Sequence, residues 1–506
     1  MHPHFWLLLP QEILTVVLSQ LDTQDLARLA ATCRTLWRDA PGPPPRPMPP
    51  LRPMGPVETE LRRRATAHGL HIGSSLPEGA LSWVPYLLKR ALRDAQRREA
   101  SLAVGGGVSV FVDAEGGMLT CGRENRQPAC NYPRFILGHD WGADVDPGQP
   151  RVIGPPTPVP SMQGRRIASV AASHWHCLAL SRTGQVYSWG NGGSGSLGHA
   201  NGSARAVPSR IESLSRIESI AVGPYLTSAA ADDQGRLFTW GRAGSTAEAM
   251  PTGLGYKLHP GIHSQLTPKR VDALSGDRVV GVSLGYGFTL AVTDAGAVCS
   301  FGYSREGALG HGSFEAEVLP RWIEALAQTG RRFVAVAAGT LHAFALTEEG
   351  ELYGWGDRSA NGHGPNQAHF EPTPRQLTAF VGHPVKHVGA GRRSSCVVTE
   401  KGELFTWGDG SFGRLGHNSV MDESTPKRVE GLRAATVTVS AISESHHTLV
   451  ADADGGVWAF GGGMALGLGT PGAVQPQDYV LQPSPIHTLR VRASESPGVL
   501  QFRWYR

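Results

Sequence analysis

The sequence predicts a mainly β fold, a seven-bladed β-propeller, with a small all-α segment ahead of it. Glycine accounts for 64 of the 506 residues and charged residues for only 18%, which is typical of short strands joined by tight turns. A ten-residue pattern recurs seven times after residue 100. The first hundred residues instead place apolar side chains at helical spacing.

The seven copies share one frame, which ends in an aromatic residue or cysteine followed by glycine. They are DAEGGMLTCG (113–122), SRTGQVYSWG (181–190), DDQGRLFTWG (232–241), TDAGAVCSFG (293–302), TEEGELYGWG (347–356), TEKGELFTWG (399–408) and DADGGVWAFG (452–461). The closing glycines recur about every 50 residues, with longer inserts in units one and three. A repeat of this length built from short strands predicts a propeller, since one blade cannot bury both of its faces alone.

Each unit predicts short strands separated by glycine turns. In unit five, FVAVAAG (333–339) and HAFALT (342–347) are strand patterns, and Gly350 marks a turn that requires a positive φ. A second turn follows in six units as Leu-Gly, at 137–138, 197–198, 254–255, 309–310, 415–416 and 466–467. Unit five has Asn361-Gly362 at this point.

The repeated strings resemble a known family. The G-x-[LV]-[YF]-x-W-G core, the following LGH and a Pro-x-x-[VI] strand, as in Pro208 to Ile211, resemble the regulator of chromosome condensation repeat. The resemblance covers residues 101–492 and implies one ring of seven four-stranded blades. WD-type and kelch propellers have similar periods, but neither Trp-Asp strand ends nor the kelch double glycine is found.

A second resemblance covers residues 1–40. Apolar residues at i, i+3, i+4 and i+7 from Leu26 predict an amphipathic helix. The string Leu-Pro-x-Glu-Ile-Leu at 9–14, with the leucines that follow it, resembles an F-box. The F-box family docks on the Skp-type adaptor of cullin-based ubiquitin ligases, which implies an adaptor and a cullin as partners. The residues expected to bind the adaptor are Leu8, Leu9, Pro10, Ile13 and Leu14.

Three further segments complete the expected domain organisation. Residues 41–56 contain nine prolines, which predicts an extended and semi-rigid spacer. Residues 57–100 return to a helical pattern and are interpreted as an extension of the F-box region. Residues 493–506 are expected to form a C-terminal tail.

Candidate chemical sites all fall on repeat positions. His174 and His176 have the i, i+2 spacing of a metal pair on a strand, but His176 occupies the same position as His342 and His447 in other units. The Trp-Gly tryptophans are interpreted as packing residues, because a light-sensing family member's Gly-Trp-Arg-His-Thr string is absent. The glycine-rich string at 190–198 lacks a following Gly-Lys-[Ser/Thr]. We therefore expect no catalytic, metal or cofactor site.

Charge and composition narrow the partner classes. Residues 1–100 contain 13 Lys/Arg and 9 Asp/Glu, whereas the remainder contains 34 of each. A neutral propeller argues against nucleic acid as a partner. The six cysteines form no C-x-x-C pair, and no apolar run approaches the length of a membrane span. We expect an intracellular protein, cytoplasmic or nuclear and not secreted, with no membrane contact.

These observations leave three hypotheses for function. The first is a substrate receptor, in which the F-box-like segment holds the adaptor and the propeller binds a protein cargo. The second is a nucleotide-exchange factor for a Ran-like small GTPase, as the resemblance to the repeat family implies. The third is a passive scaffold. In the first hypothesis, the inserts at 123–165 and 242–267 are expected to contact cargo, because variable loops on a rigid scaffold carry specificity.

Overall fold

A ring of seven antiparallel blades forms the described part of the chain in this computed structural model. The structure describes residues 102–124, 136–140, 151–243, 253–259, 261–304, 306–365, 369–439, 446–452, 454–462, 466 and 479–491. The F-box-like segment, the proline-rich spacer, the helical extension and the C-terminal tail lie outside these residues. Their boundaries stay predictions.

The first four blades each contain four strands in chain order. Blade one consists of β1 (Leu102–Val104), β2 (Val108–Val112), β3 (Met118–Glu124) and β4 (Arg151–Pro158). Blade two consists of β5 (Ile167–Ala172), β6 (His176–Ser181), β7 (Val186–Gly190) and β8 (Arg205–Arg210). Blade three consists of β9 (Ile217–Val222), β10 (Thr227–Asp232), β11 (Leu237–Arg242) and β12 (Ser264–Arg270). Blade four consists of β13 (Val279–Leu284), β14 (Phe288–Thr293), β15 (Val298–Gly302) and β16 (Glu317–Trp322).

The remaining three blades follow the same order. Helix α1 (Glu324–Ala327) lies in the connection from blade four to blade five. Blade five consists of β17 (Phe333–Ala338), β18 (His342–Thr347), β19 (Leu352–Asp357) and β20 (Phe370–Gln376). Blade six begins with β21 (Val385–Ala390), β22 (Ser394–Thr399) and β23 (Glu403–Gly408), and blade seven ends with β25 (His447–Asp452), β26 (Gly456–Gly462) and β27 (Tyr479–Arg490).

Strand β24 (Glu423–Val439) serves both of the last two blades. Its first part pairs with β23, with Lys427 opposite Thr406, and its second part pairs with β25, with Ala434 opposite Asp452. One long strand is therefore the fourth strand of blade six and the first strand of blade seven. The seven-bladed fold predicted from the seven sequence units is confirmed.

The first strand of each blade lines the axis of the ring. Each first strand contacts the first strand of the next blade, and β1 contacts both β5 and β24. At the junction between blades seven and one, Asp113 forms an isolated β-bridge with Val491. Ser109 Oγ lies 2.8 Å from His447 Nε2 at the same junction. These contacts close the ring.

No helix among the described residues combines the length and the apolar character that crossing a bilayer requires.

The Trp-Gly tryptophans join neighbouring blades. Each indole Nε1 donates a hydrogen bond of 2.8–2.9 Å to a main-chain oxygen that directly precedes the Leu-Gly or Asn-Gly turn of the preceding blade. Trp189 binds Ile136 O, Trp240 binds Ser196 O, Trp355 binds Ala308 O and Trp407 binds Ala360 O. All four side chains are fully buried. The tryptophans are therefore interblade packing residues, as the repeat frame predicts.

A hydroxyl group in the second strand of a blade reinforces the same junction. Ser228 Oγ donates to Ser196 O, Ser395 Oγ donates to Ala360 O, and Thr448 Oγ1 donates to Arg414 O, at 2.7–2.9 Å. Where phenylalanine replaces the tryptophan in blade four, Thr289 Oγ1 still reaches Gly253 O at 2.6 Å. The turn oxygens are therefore satisfied from the next blade, as buried carbonyls require.

Buried histidines form a second set of interblade contacts. His176 Nε2 lies 2.8 Å from Ser228 Oγ and His342 Nε2 lies 2.8 Å from Ser395 Oγ, which repeats the contact made by His447. Burial lowers the pKa of His176 and His447 to about 3 and that of His342 to about 4. These rings are neutral in the folded protein at neutral pH.

The histidines of the Leu-Gly-His turns bind within their own blade. His199 Nε2 lies 2.9 Å from Ser188 Oγ, and the same hydroxyl donates to Leu197 O at 2.8 Å. His139, His311 and His417 make the equivalent contact with Thr120, Ser300 and Thr406. The recurring polar residues of the sequence pattern thus hold the blade turns.

The interblade histidines make stability depend on pH. An unfolded histidine takes up a proton near pH 6.5, whereas His447 stays neutral until about pH 3 in the fold, so stability falls as the pH drops below 6.5. Between pH 6 and 5, His447 should contribute a loss of about 1 kcal/mol. In urea unfolding, His447→Gln should reduce that pH slope, whereas His263→Gln, at an exposed position, should not. Equal slopes for wild type and His447→Gln would contradict the neutral buried ring.

The turn glycine of unit five has the predicted conformation. Gly350 has φ +84°, and a Cβ there would lie 2.8 Å from Pro384 Cβ and 2.9 Å from Val385 N. We expect Gly350→Val to lower the free energy of unfolding by about 1–3 kcal/mol. Gly276→Val is the matched control, because its Cβ would meet nothing within 4 Å. Thermal melting of both variants measures the difference, and an unchanged melting temperature for Gly350→Val would contradict the turn strain.

Candidate interaction rim

One edge of the ring collects the connections between first and second strands and between third and fourth strands. In an antiparallel meander these connections leave the sheet at the same end. Both long inserts are connections of this kind, since one joins β3 to β4 and the other joins β11 to β12. We call this edge the insert rim. The inserts are shorter than predicted, because residues 151–158 and 264–270 are fourth strands.

An aromatic and cationic cluster lies on the insert rim between blades three and four. The Arg242 guanidinium carbon lies 4.2 Å from the centre of the Tyr225 ring, and the Tyr225 and Tyr286 ring centres are 4.8 Å apart. Tyr286 is 40% exposed. Burial raises the pKa of Tyr286, so its hydroxyl stays protonated at neutral pH. The cluster offers an aromatic surface with a hydroxyl donor.

A cavity of about 580 Å³ opens on the insert rim around blade five. Blade five contributes its first turn, the end of β19 and residues that follow it. Blade six contributes its first turn and one residue of β24, and blade four contributes one residue. The lining residues are Glu306, Thr340, Leu341, Asp357, Arg358, Ser359, Gly364, Pro365, His369, Phe370, Arg392, Arg393 and Ser424. Arg392 and Arg393 form the turn between β21 and β22.

A shortened turn in unit five accounts for the position of this cavity. In units two, four and six the Leu-Gly glycine follows the Trp-Gly or Phe-Gly glycine by eight residues, but Gly362 follows Gly356 by six. The longer turns pack onto the fourth strand of the next blade, as the turn at Gly193–Gly195 does on β12. In blade five, the turn contacts the next blade through the hydrogen bond from Gly364 N to Ser424 O, at 3.2 Å. The missing residues leave space beside blade six.

Arginine side chains dominate the polar lining of the cavity. Arg358 is only 12% exposed, and its Nη2 donates to Glu371 Oε2 at 2.6 Å. Its Nε and Nη1 are buried without a hydrogen-bond partner, as is the hydroxyl of the adjacent Ser359. Arg393 Nε lies 3.8 Å from Asp357 Oδ2. Within the part of the chain that the structure describes, the exposed Arg392 has no ion-pair partner.

Two exposed phenylalanines border the cavity. Phe370 lines it and is 38% exposed, while Phe314 in the neighbouring connection of blade four is 51% exposed. Their ring centres are 6.5 Å apart in an edge-to-face arrangement. Paired exposed aromatic rings beside a cavity that is lined by arginines are typical of protein interaction surfaces.

The predicted candidates lie elsewhere. The adaptor-binding residues Leu8, Leu9, Pro10, Ile13 and Leu14 lie outside the described residues. His174 and His176 are both buried, and His176 is engaged between blades two and three. In the described ranges, no three His, Cys, Asp or Glu residues are grouped as a metal site would require. Burial raises the pKa of Cys121, Cys177, Cys299 and Cys396, which keeps these thiols protonated.

Sequence reasoning missed the arginines of the cavity. Arg358, Arg392 and Arg393 occupy turn positions that vary from unit to unit, so no recurring pattern marks them. A signal was present in the turn that ends at Asn361-Gly362, which is two residues shorter than its counterparts in units two, four and six. A gap in an otherwise regular repeat indicates that a packing element is missing there.

Family models match both parts of the chain. The model described as regulator of chromosome condensation (RCC1) repeat matches residues 183–230, 295–346, 349–398 and 401–450. A second model of the same repeat matches 167–196, 333–364 and 385–414. An F-box-like model matches residues 6–40.

Similar proteins include both plant and human proteins. The Arabidopsis thaliana ultraviolet-B receptor UVR8 is 31% identical over 321 residues, which are 62% of this chain and 70% of that protein. The Homo sapiens E3 ubiquitin-protein ligase HERC2 is 35% identical over 319 residues, again 62% of this chain but only 6% of that protein.

Solved structures show the same fold. The structure of yeast RCC1 (Prp20) bound to Kap60 matches with a TM-score of 0.59 and 20% identity, over 82% of this chain and 90% of that one. Human WBSCR16 matches with a TM-score of 0.55 and 22% identity, over 68% and 84%. With an F-box-like segment ahead of its seven blades, the chain belongs to the regulator of chromosome condensation (RCC1) repeat family.

Proposed function

We propose that this protein is the substrate-receptor subunit of a Skp/cullin/F-box ubiquitin ligase, in which the propeller binds the protein cargo. The F-box-like match at residues 6–40 ahead of the repeats is the observation that carries this proposal. Ubiquitin transfer would take place on other subunits. The similarity to HERC2, an E3 ubiquitin-protein ligase, supports this proposal and covers 6% of that protein.

The architecture of the propeller supports a binding role. Its recurring polar side chains are engaged in blade junctions and turns, as the contacts of Trp407, Ser395 and His417 illustrate. The insert rim carries side chains that vary between units, and Tyr286 and Phe370 are exposed there. In a rigid ring with a variable rim, the recurring residues stabilise the fold and the variable residues are available for binding. Cargo would bind there without rearrangement of the blades.

The adaptor is proposed to bind Leu8, Leu9, Pro10, Ile13 and Leu14. In the F-box pattern these residues precede Val17, Leu18 and Leu21, which we expect to pack within the helical segment, so the first group would be left for a partner. Interface anchors of this kind typically contribute about 1–4 kcal/mol each when truncated. Two truncations together would therefore be enough to prevent recovery of a complex.

Leu9→Ala combined with Pro10→Ala should abolish co-purification of a Skp-type adaptor. Melting of the propeller should change little, because the proline-rich residues 41–56 separate the two parts. Gln11→Ala, at the variable position of the Leu-Pro-x-Glu pattern, is the matched control and should retain the adaptor. Retention by the double variant, or failure of the wild type to bind any adaptor, would overturn the proposal and favour a passive scaffold.

A nucleotide-exchange role is the second candidate. It is favoured by the seven-bladed ring and by the fold shared with yeast Prp20, which a second structure describes by its binding to Gsp1p and histones. The balance of 34 basic and 34 acidic residues after residue 100 argues against a charged surface of the kind that histones or nucleic acid require.

The two candidates differ in their effect on nucleotide release. We expect the full chain to leave the rate of labelled GDP release from a Ran-like GTPase unchanged, measured by fluorescence with EDTA as the positive control. An acceleration of tenfold or more that depends on protein concentration would support a nucleotide-exchange role. It would also contradict the expectation that a propeller with balanced charge lacks this role.

A further inference from the structure

We propose that the cavity on the insert rim of blade five binds an acidic side chain, aspartate or glutamate, of a partner polypeptide, with a large apolar residue of the same segment packed on Phe314 and Phe370. This inference rests on the proposed cargo-binding role of the propeller and names the chemistry of the cargo. Four observations support it: buried donors without hydrogen-bond partners, the charges of the lining residues, the position of the cavity and the phenylalanine rings that border it.

The unpartnered donors indicate that the ligand supplies acceptors. Arg358 Nε and Nη1 and Ser359 Oγ are buried without a partner, and all belong to residues that line the cavity. By comparison, Arg205 has a single buried nitrogen without a hydrogen-bond partner, its Nε. Leaving a buried donor unsatisfied is costly, so a carboxylate that accepts these hydrogen bonds would bind favourably.

The charge of the lining matches one carboxylate. Arg358, one of the three lining arginines, already pairs with Glu371. Asp357 is engaged as well, since its Oδ1 accepts from Ser359 N at 2.9 Å and its Oδ2 lies 3.8 Å from Arg393 Nε. Arg392, which has no ion-pair partner among the described residues, therefore supplies the guanidinium that one ligand carboxylate can pair with. A doubly charged phosphate would lie near two acidic lining residues with only one unpaired arginine.

The position of the cavity favours a polypeptide over a small metabolite. It opens on the rim and is bordered by Phe370, which continues to Phe314 outside the cavity. A ligand that uses both features must carry an anion and an apolar group several ångströms apart. An extended peptide does so when an acidic residue lies one to three positions from a large apolar residue.

Random dodecapeptides displayed on phage and selected on the full-length protein would test the proposal. We expect enrichment of sequences with aspartate or glutamate one to three positions from Phe, Leu, Met or Trp. Enrichment of peptides without an acidic residue, or no enrichment over a blank surface, would overturn the proposal. Replacing the acidic residue of a selected peptide by phosphoserine should weaken binding, and tighter binding would overturn the assignment to a carboxylate.

Variants of the cavity would show where the peptide binds. In fluorescence anisotropy, Arg392→Ala and Arg358→Gln should each weaken a selected labelled peptide by about tenfold or more, the loss expected for a charge-assisted contact. Arg392 is exposed, so its variant keeps the test valid if Arg358→Gln fails to fold. Arg270→Ala, an arginine 39% exposed at the opposite end of a fourth strand, is the matched control and should bind normally. Unchanged affinity in Arg392→Ala would overturn the proposal.

Adaptor binding is measured in the same preparations, so the two proposals can fail separately. A protein that selects acidic peptides but never retains a Skp-type adaptor would leave the cavity assignment intact and remove the ligase role. A protein that retains the adaptor and selects no acidic peptide would leave the ligase role intact and overturn the cavity assignment.

Discussion

The structure depends on one repeated constraint, the main-chain oxygen that directly precedes the Leu-Gly or Asn-Gly turn in blades one to six. This oxygen points to the next blade, where an indole Nε1, a hydroxyl or both donate to it, as Trp407 and Ser395 do to Ala360 O. Buried carbonyls are costly when unpaired, so each blade requires its neighbour. This requirement explains why tryptophan, serine or threonine, and glycine recur at fixed spacing. It also explains why few of the recurring residues remain free to bind a ligand.

Residues that bind a ligand are therefore expected at positions where a unit departs from the repeat pattern. Unit five shortens one turn by two residues, which removes the packing that units two, four and six make against the next blade. The resulting cavity exposes Arg392 and leaves donors of Arg358 and Ser359 unpartnered. The junction to blade six survives, because Ala360 O still accepts from two side chains. Blade five therefore keeps its junction with blade six although one of its turns is two residues shorter.

Most of the fold could be predicted from the sequence because its recurring residues carry the fold itself. The first residues of the second strands, such as His176 and His342, lie where the repeat frame placed them. The double use of β24 could not be predicted, because Gly431 indicates a turn in the sequence, whereas it lies at φ +77° within one continuous strand. The cavity could not be predicted either, since its arginines come from two variable turns, one in blade five and one in blade six. Their proximity is set by the ring and not by sequence spacing.

The continuous strand β24 has a consequence for how the ring comes apart. In a repeat array in which each unit contacts only its neighbours, units can open one at a time. A single strand that is hydrogen-bonded to β23 at one end and to β25 at the other ties two units together, so blades six and seven form one cooperative unit. Partial opening is then favoured at other junctions. In hydrogen exchange, the amides of these two blades would lose protection together, while other blades exchange independently.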